Sequence, residues 1–150
     1  MSHDFKPTSY SNDGLMSSLV LTQGGNGAKH GDMTPVIYTQ KGWMWVGFSR
    51  DETFKSLHDV MDLEQIPINI WTTIKVSQEL NNVGRYIIKL DVGGKEIFSL
   101  ENEIPRNFSN VKVYASDPWH APQPGFIRDI VVEETLNQVK LLRVFNMLGY

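Results

Sequence analysis

Short runs rich in Val, Ile, Thr and aromatic residues recur along the chain, broken about every eight to twelve residues by Pro, Gly and Asn. That rhythm predicts an all-β fold of the sandwich or barrel kind. Asn12-Asp13-Gly14 reads as a turn and Met16 to Gln23 as a strand. Gly24-Gly25-Asn26-Gly27 opens a loop that runs through His30 and Asp32. Val36 to Gln40 and Trp43 to Ser49 read as strands joined at Lys41-Gly42. The second is apolar on both faces, with Trp43 and Trp45 on one and Met44, Val46 and Phe48 on the other. Such a pattern suits a central strand covered on both sides. Arg50 to Leu63 reads as a short strand or a helical turn.

Ile68 to Leu80 alternates, with Ile70, Ile74 and Val76 against Trp71, Thr73 and Lys75, and Asn81-Asn82-Val83-Gly84 follows as a turn. Tyr86 to Val92 and Glu96 to Leu100 flank Gly93-Gly94-Lys95 as a hairpin. A two-residue Gly93-Gly94 loop sets Asp91 against Glu96, two like charges. A three-residue loop pairs Leu90 with Phe98 and Ile88 with Leu100 on one apolar face, and register follows the buried face. Val111 to Ser116 and Phe126 to Glu133 are strands on either side of the Pro-rich stretch Asp117 to Gly125. Gln138 to Leu148 is apolar enough to be buried, as a closing strand or a short helix.

The chain has 150 residues, 41% of them apolar, which suits one domain spanning 1–150 with a substantial core. The net charge is −3 and no Lys/Arg cluster occurs, so no nucleic-acid patch is expected. There is no Cys, which excludes disulfides, thiolate metal sites and thiol nucleophiles. No stretch is long and apolar enough to span a bilayer, and membrane insertion is not expected. The N-terminus carries no signal-peptide pattern. The reading adopted is a mature extracellular domain given a start Met.

Three stretches carry a resemblance. Trp71-Thr72-Thr73-Ile74-Lys75-Val76-Ser77-Gln78 precedes Gly84-Arg85-Tyr86-Ile87. Val92-Gly93-Gly94-Lys95-Glu96-Ile97-Phe98-Ser99 comes next, and Val111-Lys112-Val113-Tyr114 leads to Gly125-Phe126-Ile127-Arg128-Asp129-Ile130. This order resembles the C-terminal half of concanavalin A-like lectin and laminin-G-like domains, closest to lectin-like secreted proteins of marine invertebrates such as sea anemones. It covers roughly residues 43 to 133, clearly from 71 onward. The resemblance implies a two-sheet antiparallel jelly-roll β-sandwich, glycan or protein ligands at loops or a concave face, and in some members Ca²⁺. The galectin sugar box, a His-x-Asn-x-Arg strand with a Trp-x-x-Glu-x-Arg strand, is absent.

Catalysis is not expected. Retaining glycosidases need two carboxylates roughly 5–5.5 Å apart. The nearest approach to such a pattern is Val60, Asp62, Glu64, with Val where an acid is needed. His3, His30, His58 and His120 lie in no nucleophile motif and show no metal-ligand spacing. The stretch Asp117-Pro118-Trp119-His120-Ala121-Pro122-Gln123-Pro124 is the best ligand candidate. Sugar rings stack their apolar faces on Trp, while Asp117, His120 and Gln123 satisfy hydroxyls. Prolines stiffen the loop and lower the ordering cost of binding. Glu101, Asn102, Glu103 and Asp117 are the oxygen donors that could converge on calcium, although binding is expected to require no cofactor. Asn107-Phe108-Ser109 is an N-glycosylation sequon. The expected function is a non-catalytic, oligomeric lectin for galactose-type glycans and glycoproteins. The alternative is an adhesion or protein-interaction module without sugar affinity.

Overall fold

The computed structural model describes residues 1–11, 14–24, 31–48, 65–103, 105–117, 119–136 and 139–145, those from 134 on by their backbone. Among these residues the chain is all-β, without helix. In order the strands are β1 (Ser2–Pro7), β2 (Met16–Thr22), β3 (Val36–Gln40), β4 (Trp43–Gly47), β5 (Thr72–Leu80), β6 (Tyr86–Val92), β7 (Lys95–Asn102), β8 (Lys112–Tyr114), β9 (Ala121–Pro122), β10 (Gly125–Leu136) and β11 (Val139–Phe145). They form a six-stranded sheet ordered β11-β10-β1-β5-β6-β7 and a five-stranded sheet ordered β4-β3-β2-β8, with β9 also beside β2. All pairings are antiparallel except the short β2–β9 one. The chain therefore passes between sheets after β1, β4, β7 and β9.

The two sheets share one apolar core. Phe5, Ile74, Val76, Ile88, Leu90 and Ile130 come from the first sheet; Leu19, Leu21, Ile37, Met44 and Val46 come from the second. Strand alternation supplies this layer, because every second side chain points the same way. The five-stranded sheet also buries its outer face, where Val20, Val36 and Tyr38 pack with Met33, Leu15 and Trp45. That second cluster explains why β4 is apolar on both sides. Its position differs from expectation: β4 is at the edge of its sheet among the described strands, not in the centre.

Two departures from strict alternation keep apolar residues inward. On β10, Ile127 and Ile130 both face the core although they are three positions apart. A bulge opposite His3 absorbs the extra residue: Asp4 pairs with Arg128 and Ser2 with Val131, and Asp129 takes a positive φ of 52°. In the β6–β7 hairpin, Leu90 faces Phe98 and Ile88 faces Leu100, the predicted register. The turn itself is not the expected three-residue loop but the two residues Gly93-Gly94, at φ 60° and 83°, and Lys95 belongs to β7. The additional residue is taken up at Ile97, so Asp91 does face Glu96. Lys89 lies between the carboxylates of this surface, 3.0 Å from Glu79 and 3.9 Å from Glu96, and offsets the repulsion.

The C-terminal segment resolves as the strand β11, paired along β10. Strand β1, which the sequence reading passed over, is an interior strand of its sheet, between β10 and β5. His3, Phe5 and Pro7 point inward and are buried. Gly125 closes over the end of this strand: a Cβ there would lie 2.7 Å from the Lys6 carbonyl oxygen and 3.0 Å from Pro7 Cα, both backbone atoms.

His3 is 1% exposed, and neither ring nitrogen has a hydrogen-bond partner among the described residues. Burial disfavours the imidazolium and pulls the pKa down from 6.5 to about 4, against the weaker pull of Asp4. Between those pH values the unfolded chain carries a proton that the folded chain lacks, so acid favours unfolding. Above pH 6.5 both states hold a neutral ring and this residue adds no pH dependence. Stability is expected to fall as pH drops from 6.5 to about 4, by on the order of 3 kcal/mol from His3 alone. Denaturant midpoints across that range check it. His3→Leu should flatten most of the slope, and an unchanged slope in the variant would refute the assignment.

Candidate functional site

Strands β8 and β9 divide one edge of β2 between them. Val20 to Thr22 pairs with β8 and Met16-Ser17 with β9. The N–H of Ser116 donates to Ser18 O and that of Gln123 to Ser17 O, at 2.9 and 2.8 Å. The stretch joining these two bonds contains Asp117, Trp119 and His120, three of the predicted ligand residues.

Asp117 organises the loop from within. Its side chain is fully buried. Oδ1 accepts the backbone N–H of Trp119 and of His120, both at 2.7 Å, so a single carboxylate fixes the turn. His120 Nδ1 lies 3.2 Å from each carboxylate oxygen. Ser17 and Tyr38 face the same carboxylate from the sheet. Their hydroxyls are near enough to favour its charge, yet neither closes a well-formed hydrogen bond. Burial opposes ionisation of Asp117, but the two backbone N–H groups and the two hydroxyls outweigh it, and the carboxyl is held below its ordinary pKa. Burial and then the Asp117 charge push the Tyr38 phenol up.

The four predicted sugar-contacting residues fall into two pairs. Asp117 and Gln123 are buried and engaged with the protein. Gln123 donates from Nε2 to the carbonyls of Ser9, at 2.6 Å, and Pro124, at 3.1 Å, and accepts from the Thr39 hydroxyl. It ties β9 to β3 and to the chain after β1. Trp119 and His120 reach solvent instead. Trp119 is 45% exposed. His120 is partly exposed, and its ring packs on Tyr38, centroids 4.7 Å apart at 52°. The loop thus presents an indole and an imidazole, one clamped at the backbone by Asp117, the other also through its ring.

Of the predicted calcium donors, Glu101 and Asn102 lie on β7, in the other sheet from the strands that anchor Asp117. Glu101 is ion-paired with Arg85 at 2.8 Å, and Asn102 Nδ2 donates to Gln78 Oε1 at 2.6 Å. Among the described residues no group of three or more His, Cys, Asp or Glu side chains is arranged to hold a metal ion. Asp32 is buried and Asn107 of the sequon is exposed. Asn26, His30, His58, Val60, Asp62 and Glu64 lie outside the described residues. Sequence reasoning missed Ser17 and Tyr38. They reach the loop through strand pairing, 100 and 79 positions away from Asp117, and no local spacing announces them. Comparison of the chain with protein-family models, curated proteins and solved structures gives no match.

Replacing Asp117 by Ala leaves two backbone donors and an imidazole without their acceptor. A loss of roughly 2–4 kcal/mol in unfolding free energy is expected. Asp117→Asn, which keeps the acceptor oxygen without the charge, should lose less. Urea denaturation of the two variants checks the order, and equal stability of Asp117→Ala and the parent would rule out the clamp.

Proposed function

We propose that this chain is a non-catalytic carbohydrate-binding domain of the concanavalin A-like, jelly-roll type, with galactose-type glycans the first class to test. The observation that carries the reading is the clamped loop: Trp119 stands 45% exposed on a backbone that a buried carboxylate holds in place. A flat apolar ring on a backbone held by Asp117, with a hydrogen-bonding imidazole next to it in sequence, offers what a pyranose needs. Because Asp117 already holds the backbone N–H groups of Trp119 and His120, less entropy is lost when a sugar stacks there. Asp117 and Gln123 act as positioning residues for Trp119 and His120. The hydroxyls of Ser17 and Tyr38, which face the same carboxylate, are buried. The reading needs no metal, since the loop's own carboxylate is engaged by backbone and imidazole. A single stacking site is weak, so the proposed domain acts outside the cell as an oligomer, where linked sites gain by avidity.

A glycan-array screen with and without EDTA is expected to give binding in both arms. Trp119→Ala should then lose on the order of 1–3 kcal/mol of glycan affinity, judged from the transfer free energy of a large apolar side chain. Its melting temperature should stay close to that of the parent because the ring is half exposed. Unchanged affinity together with a sharply lower melting temperature would make Trp119 a structural cap and overturn the assignment.

A further inference from the structure

The outer face of the six-stranded sheet carries an ordered arrangement that the glycan reading does not use. Lys6 on β1 pairs with Phe126 on β10, and Trp71 lies just before β5, beside the same position. The three form a row of ring, ammonium and ring: Lys6 Nζ is 4.9 Å from the Phe126 centroid and 5.1 Å from that of Trp71. The next row, two residues along, is Arg128, Asp4 and Thr73. Asp4 accepts from Arg128 at 3.1 and 3.2 Å and from the Thr73 hydroxyl at 2.7 Å, and the guanidinium sits 4.1 Å above the Trp71 ring. Arg128 is thus neutralised by Asp4 and Asp129. Lys6 has no carboxylate partner among the described residues.

Two aromatic rings flank that ammonium, and exposed apolar side chains lie on the adjoining segments. Phe126 is 53% exposed. The turn leading into β5 adds Ile68 and Ile70, 45% and 57% exposed. Its Asn69 N–H donates to Pro7 O at 2.7 Å, which brings the turn against the end of β1, and Pro7 in turn faces Gly125 beside Phe126. Exposed apolar side chains on adjoining segments offer a contact surface where they are contiguous.

We propose that this end of the sheet docks on an anionic phospholipid surface, adsorbing without spanning it. Isoleucine and phenylalanine side chains suit the acyl–headgroup boundary, indole suits the headgroup level, and an ammonium on a long stem reaches a lipid phosphate or carboxylate. The charge argues for this occupant over others. A second copy meeting this face about a twofold axis sets Lys6 near its own counterpart in an apolar contact. A sugar ring finds the aromatic faces shared with Arg128 and Lys6. A small soluble anion leaves Ile68, Ile70 and Phe126 in water.

The test is co-sedimentation of the full chain with vesicles of phosphatidylcholine alone or of phosphatidylcholine with phosphatidylserine. Binding is expected to the second kind and to weaken as salt rises. The double variant Ile70→Asp, Phe126→Asp should bind at least about tenfold less. Lys6→Gln should lose the preference for phosphatidylserine. Trp119→Ala should sediment as the parent does, which separates this surface from the glycan loop. If the double variant unfolds, Ile68→Asp, on the turn outside the strands, gives the same readout. Three results would overturn the proposal: no binding to phosphatidylserine vesicles, equal binding to both kinds, or folded patch variants that bind like the parent. A patch variant that instead dissociates a dimer of the chain would assign the face to a second copy and overturn it as well.

Discussion

Everything in this molecule depends on one apolar layer being removed from water from both sides at once. Phe5, Leu19, Ile37, Met44, Ile74, Leu90 and Ile130 come from strands far apart in sequence, and each is almost wholly buried. Neither sheet covers its own half of that layer alone. Burial at roughly 25 cal/mol per Å² supplies the drive, and the strict two-residue period of a strand sets the condition. Where the sequence breaks the period, the backbone yields in place of the core. The bulge at Asp129 and the irregularity at Ile97 are both local kinks that return an apolar side chain to the shared layer.

The same constraint bears on where exposed polar and aromatic groups stand. Because the five-stranded sheet also buries its outer face, its exposed chemistry is moved to the edge, onto the loop between β8 and β9. There the buried polar groups are used to hold shape. Asp117 fixes backbone N–H groups and an imidazole, and Gln123 links three segments of chain. The six-stranded sheet leaves its outer face open, and the charged and aromatic side chains there order themselves in cross-strand rows. One sheet therefore offers an edge and the other a face.

Much of the strand pattern was legible because it is local. Val36–Gln40, Tyr86–Val92 and the pairing of Leu90 with Phe98 follow from alternation, although the turn length between β6 and β7 was misjudged because the extra residue sits at Ile97 within β7. The misses share a cause. Strand β1 has only three inward residues, His3, Phe5 and Pro7, and one is a histidine and another a proline, so its period carries little hydrophobic contrast. The placement of β4 was misread because two separate clusters, not flanking strands, cover its faces. At the loop, residue types announced a mixture of ring, acid, imidazole and amide. They did not announce which would turn inward, because that choice is made by Ser17, Tyr38, Thr39 and Ser9 across the fold.

Strand β1 also governs how the fold is reached. Its Asp4 meets Thr73 and Arg128 at separations of 69 and 124 residues, so the six-stranded sheet joins chain segments that are remote along the polypeptide. Loop-closure entropy must be met before such pairings give any return, and topologies of this kind assemble more slowly than those built from neighbouring hairpins. The β5–β6–β7 meander, by contrast, is built from contacts local in sequence. The sheet is completed only when the strand from one end of this sequence is received between that meander and the strand from the other. Without β1 the edge of β5 is an unpaired ladder, the kind of edge that pairs with the wrong chain.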